Sequence, residues 1–111
     1  MISIVLFQNH NGEKCMKGYL VLDLSIKDLE RFLEYTEKIP AFIEKHGGRY
    51  IVKGVVPEKM EGDWLPERLV ILEFPSTAKA KEFLADPEAK DLFSLRYNTT
   101  NSQLILAEGC T

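Results

Sequence analysis

Arg68-Leu69-Val70-Ile71-Leu72-Glu73-Phe74-Pro75-Ser76 is the stretch on which the fold turns. Side chains alternate across a strand, so Val70, Leu72 and Phe74 share one face, and Leu69, Ile71 and Glu73 the other. Both faces are largely apolar, which marks a strand covered on two sides. Pro75 and Ser76 stop it. The Ser76 hydroxyl can accept from the first free N–H groups of a helix beginning near Thr77.

Upstream of Arg68, Pro57–Pro66 is a polar connection centred on Glu61-Gly62-Asp63, and Arg49–Val56 reads as a partner strand. Earlier, Lys17–Leu24 is another strand candidate. Ser25, with Asp28 three residues on, resembles a capping box. Leu29, Phe32, Leu33, Thr36, Ile39 and Ile43 then recur at helical spacing. Pro40 is expected to kink this helix or to start a second short one, and His46-Gly47-Gly48 to end it. Downstream, Ala78, Ala80, Phe83 and Leu84 mark an inner helix face. Asp86-Pro87 restarts a helix that continues through Leu92, Phe93 and Arg96. Asn98–Ser102 reads as a polar loop and Gln103–Glu108 as a last strand.

The order β-α-β-β-α-β places the chain in the α+β class with a ferredoxin-like fold, a four-stranded antiparallel sheet covered on one face by two helices. Right-handed crossovers are expected to set strands one and three side by side and parallel at the centre. Strand four is expected antiparallel to strand one, which would bring Cys15 close to Cys110. Residues 16–111 form the domain, and residues 1–15 are an extension, an arm or extra strand.

The 111 residues suffice for one core. Hydrophobic residues make up 45% and charged residues 28%, a globular balance. The net charge of −3, with acids and bases interleaved, leaves no basic stripe for nucleic acid. No run approaches the ~18–20 apolar residues of a membrane span. Met1–Phe7 is broken by Ser3 and preceded by no Lys or Arg, which argues against a secretory signal. Two cysteines without C-x-x-C spacing point to a reducing, cytoplasmic setting. Two histidines and terminal cysteines offer no metal-ligand spacing, and no G-x-G-x-x-G, P-loop or nucleophile elbow appears. No cofactor is expected.

Two helices cover only one sheet face. The other carries Tyr19, Val21, Leu69, Ile71, Ile105 and Ala107, too apolar for water, so a second copy is the expected cover. An N-terminal arm folded across it is the alternative.

Lys17-Gly18-Tyr19-Leu20-Val21, Tyr35, Pro40, Gly47-Gly48-Arg49-Tyr50, Glu61-Gly62, Arg68, Glu73-Phe74-Pro75-Ser76, Ala80, Arg96 and Glu108-Gly109 together carry a resemblance. Over about residues 16–109 the chain resembles domain-of-unknown-function family 1330, within the dimeric α/β-barrel superfamily. Where that family often has a Tyr-Gln pair, Ala89-Lys90 stands here. The resemblance implies a two-sheet homodimer and brings no established reaction. Analogy across the superfamily suggests cofactor-free oxygenation, isomerisation or lyase chemistry.

A turn centred on Glu61 sets Arg49 opposite Glu73 and Ile51 opposite Ile71. With strand one parallel beside strand three, Asp23 would end near Glu73. Arg49, Glu73 and Asp23 are thus a candidate ligand site at the mouth of an apolar cavity. Asp23 and Glu73 are its candidate acid–base pair, and a register-fixing salt bridge is the simpler reading. Arg68, of opposite face parity and near Trp64, can clamp a carboxylate or tie down the loop. His46 reads as a helix-end cation, Ser76 as a cap, and Tyr35 and Tyr50 as core or interface; His10 sits in a loop. Two functions stand: a homodimer that binds or transforms a small organic molecule, or a non-catalytic interaction dimer with a structural or stress-related role.

Overall fold

The computed structural model describes residues 16–111. In chain order it contains β1 (Gly18–Ile26), α1 (Leu29–Lys45), β2 (Arg49–Val55) and β3 (Arg68–Phe74). Then come α2 (Thr77–Leu84), a 3-10 turn (Pro87–Ala89), α3 (Lys90–Thr99) and β4 (Thr100–Glu108). This is the ferredoxin-like βαββαβ order. The extension 1–15, Cys15 included, lies outside the described residues.

The sheet order is β2-β3-β1-β4, and each neighbouring pair is antiparallel. The expectation of parallel β1 and β3 is corrected here. The helical crossover makes β1 parallel to β2, but the hairpin then reverses the chain, so β3, inserted between them, runs against β1. The β1–β4 pairing holds: Gly18 is opposite Glu108, and the Gly109 N–H donates to the Lys17 carbonyl at 2.7 Å.

Leu20, Leu22 and Leu24 of β1 and Leu72 and Phe74 of β3 face the helices, where they meet Phe32, Ile39, Ile43 and Phe83. Each fully buried side chain of this size contributes about 1.5–3 kcal/mol. Phe74 is 1% exposed, and its ring lies 5.2 Å from that of Phe83.

Local signals mostly act where expected, with four shifts. β1 runs on to Ile26, so Asp28 rather than Ser25 caps α1, accepting from the Arg31 N–H at 3.2 Å. Pro40 starts no second helix but sits within α1, which continues to Lys45. Ala78 is exposed, whereas Ala80 and Phe83 are buried. The expected loop at 98–102 does not exist, because α3 passes directly into β4 at Thr99-Thr100. The two threonine hydroxyls donate back to the Leu95 and Arg96 carbonyls at 2.7 and 2.6 Å. They satisfy helix-end acceptors that a loop would otherwise leave to water.

Candidate functional site

Arg49 and Glu73 pair as the hairpin register requires, Arg49 Nε donating to Glu73 Oε1 at 2.8 Å. The register holds through Tyr50 and then slips: Val52, not Ile51, lies opposite Ile71, and a second irregularity falls at Gly54. Gly54 has φ +74°, a conformation that favours glycine.

Asp23 does not join this pair. With β1 antiparallel to β3, it lies opposite Leu69, and Tyr19 takes the place opposite Glu73. The Tyr19 hydroxyl donates to Glu73 Oε2 at 2.7 Å, and Lys17 Nζ is 3.8 Å from Oε1. These partners, Tyr19 first and Arg49 next, hold the Glu73 carboxyl below its ordinary range; the bond reciprocally raises Tyr19. The Glu73 side chain is 12% exposed and its oxygens are taken. Asp23 instead accepts from Trp64 Nε1 at 2.9 Å, pinning the long β2–β3 connection to the open sheet face. The expected Asp23–Glu73 acid–base pair therefore falls apart into two separate contacts near opposite ends of β3.

The cavity lies on the other side of the sheet. Helix α1 packs on α3 and shares the buried core with the strands through Phe32, Ile39 and Ile43. Between α1 and the sheet is a cleft of about 330 Å³, within the size range of small-molecule pockets. Leu22, Leu24, Phe32, Ile39, Val70 and Leu72 supply much of its wall. Leu29 and Leu33 also line it, which explains why these residues of the helical apolar stripe stay exposed. The polar lining is Tyr35, Thr36, Tyr50, Lys53 and Arg68.

Arg68 lies opposite Leu24, on the helix-facing side that its parity implied, and its Nη1 donates to the Gly54 carbonyl at 3.2 Å. Lys53 Nζ sits 4.8 Å from the Tyr50 ring centroid. Deeper in, burial pushes the Tyr35 phenol up to about 12, although the neighbouring Arg96 opposes this. Tyr35 is therefore a neutral hydrogen-bonding group at physiological pH. Arg96, 3% exposed, donates to Ser102 Oγ at 2.9 Å and lies against the Tyr97 ring. It forms no ion pair among the described residues.

Of the sequence candidates, Arg68 alone lines this cleft; Arg49, Glu73, Asp23 and Trp64 do not. Lys53, Thr36 and the Tyr35–Arg96 neighbourhood were missed as site residues. Lys53 was hidden because the β2 bulge alters its parity, and Arg96 because only packing reveals that it is buried. His46 binds Asp86 Oδ2 at 2.8 Å, and Lys45 binds the same oxygen at 2.9 Å. That group ties the end of α1 to the 3-10 turn. Among the described residues, no cluster of three His, Cys, Asp or Glu side chains could hold a metal ion. Among the described residues no helix is long and apolar enough to cross a membrane.

Comparison with known proteins gives a family and a fold. The family model described as "Domain of unknown function (DUF1330)" matches residues 17–110. The RPA0582 protein of unknown function from Rhodopseudomonas palustris is a structural neighbour at TM-score 0.71 and 18% identity. That alignment covers 96% of this chain and 91% of the neighbour. SnoaB, a cofactor-independent oxygenase from Streptomyces nogalater, aligns at TM-score 0.57 and 11% identity, covering 84% and 92%. No curated protein matches the chain.

Proposed function

The chain belongs to the DUF1330 family, and from that starting point we propose that it is a homodimer that binds a small organic molecule between α1 and the sheet. The observation that carries this is the cleft itself: about 330 Å³, mostly apolar, with a few polar groups around it. A space of that size left beside a packed core forfeits contact energy that a closed helix–sheet interface would recover. A ligand restores those contacts.

Binding is favoured over acid–base catalysis, because among the described residues no His, Asp, Glu or Cys lines the cleft and burial raises the Tyr35 and Tyr50 phenols that do. The oxygenase activity named for SnoaB enters as an alternative that the shared fold alone does not carry. The Arg49–Glu73–Tyr19 group has the features of a structural cluster, with its carboxylate saturated by its own partners. The homodimer reading rests on the open sheet face. Val21, Leu69, Ile71 and Val52 share that face, and Ile105 is 62% exposed. A contiguous apolar surface of this kind favours association.

Uptake of the neutral fluorophore N-phenyl-1-naphthylamine tests the cleft. The unchanged protein is expected to bind it saturably, and Val70→Trp, which fills the space, to lose that binding while keeping its far-UV circular dichroism. Absence of saturable uptake, or equal uptake by a folded Val70→Trp variant, would count against the cleft as a binding site.

A further inference from the structure

We infer that the occupant of the cleft is an amphipathic organic anion, its apolar body against α1 and its carboxylate or sulfonate between Arg68 and Lys53. This rests on the cleft reading and adds the chemical class of the ligand.

The lining is asymmetric in charge. Among the described residues it contains two cations, Arg68 and Lys53, and no acid. That is not the pattern of the chain as a whole, whose 17 acids outnumber its 14 bases. Neither cation has an ion-pair partner among the described residues, although the same structure pairs Lys45, Arg49 and Lys38 with carboxylates. Arg68 spends Nη1 on the Gly54 carbonyl. That bond orients the guanidinium and leaves its remaining donors for a second acceptor, the arrangement that suits a planar carboxylate. Lys53 is held over the Tyr50 ring, which places a second positive charge in the same lining without neutralising it.

The apolar part has its own place. Leu29 and Leu33 of α1 line the cleft and remain largely exposed. A ligand with one charged end and an apolar body satisfies both sets of residues. A neutral hydrocarbon leaves the cations without partners, and a small inorganic anion leaves the leucines wet. The two positions are also coupled through the backbone. The Gly54 irregularity at φ +74° is what presents the carbonyl that Arg68 holds.

The experiment is a competition against bound N-phenyl-1-naphthylamine with two ligands of one shape, naphthalene-2-carboxylate and naphthalene-2-methanol. The carboxylate is expected to displace the probe about tenfold more effectively, the scale of two partly exposed charge-assisted contacts. Higher ionic strength should narrow the gap. In Arg68→Gln/Lys53→Gln the two competitors should converge to within about twofold while probe binding persists. Lys53→Gln alone serves if the double variant does not fold, and should lose part of the preference. Arg68→Lys, which keeps the charge, should retain more of it than Arg68→Gln. Equal competition in the unchanged protein overturns the anion inference and leaves the cleft reading standing. Absence of probe binding, together with no calorimetric heat from the carboxylate, overturns both.

Discussion

Gly18→Ala is expected to destabilise the domain by about 2 kcal/mol, although it replaces a glycine within a strand. The substitution restricts the unfolded chain, which by itself would stabilise by about 0.4–1 kcal/mol. A steric clash in the folded state opposes that gain. A Cβ at Gly18 would lie 2.8 Å from the Ser76 carbonyl oxygen and 2.8 Å from Thr77 Cα. Ordinary carbon–oxygen contacts begin at about 3.3 Å, so backbone must retreat by roughly half an ångström. β1 cannot readily yield, because Gly18 is paired to Phe74 on one side and Glu108 on the other. The start of α2 must move instead. Ser76 caps that helix through its hydroxyl, and its carbonyl accepts the Ala80 N–H at 3.2 Å. Overpacking of this kind costs about 1–3 kcal/mol, and a strained cap adds a fraction of its ~1 kcal/mol. The clash therefore outweighs the entropic gain. Urea unfolding followed by far-UV circular dichroism, at one fixed protein concentration, measures the difference. Gly54→Ala is the contrast. Its Cβ meets nothing within 4 Å, so only left-handed strain of about 1–2 kcal/mol applies. A Gly18→Ala protein as stable as the parent would refute the argument from the Ser76 contact.

Two further outcomes bear on assembly and pH. Ile71→Lys should shift light-scattering mass from about two chains toward one at micromolar concentration, since an unpaired charge in an apolar interface costs several kcal/mol, roughly; an unchanged dimer would place the interface elsewhere. Asp86 is held well below its ordinary value of 3.8 by His46 and then Lys45. Its depressed folded value means its contribution is whole above about pH 4 and lost as pH falls through that folded value. Asp86→Asn should therefore be less stable than the parent at pH 7 and show a shallower acid-side decline. Parallel stability–pH curves for the two proteins would remove Asp86 from this role.

Much of the architecture was legible because it is written in local chemistry. The alternation in Arg68–Phe74, the Ser76 and Asp86 caps, and the glycine after His46 each act within a few residues, and each appears in the structure. The Arg49–Glu73 pairing expected from a turn at Glu61 is present, but the same count is off by two at Val55–Leu69 beside the turn, and two irregularities in β2 restore it at the far end of the hairpin. The expectation for Asp23 failed on one topological step: whether strand three runs with or against strand one decides which end of the sheet it shares.

The amino-acid order by itself determined the elements, the two apolar faces of the central strands and the sequence neighbourhood of each cap, because those depend on periodicity and on short-range hydrogen bonds. Only the tertiary structure decided that a cleft remains between α1 and the sheet, that the irregular pairing of β2 and β3 brings Lys53 and Arg68 to it, and that Arg96 is buried beside Tyr35. These depend on how far apart packed elements come to rest. That distance is set by the summed contacts of residues distant in sequence, and no local pattern encodes it.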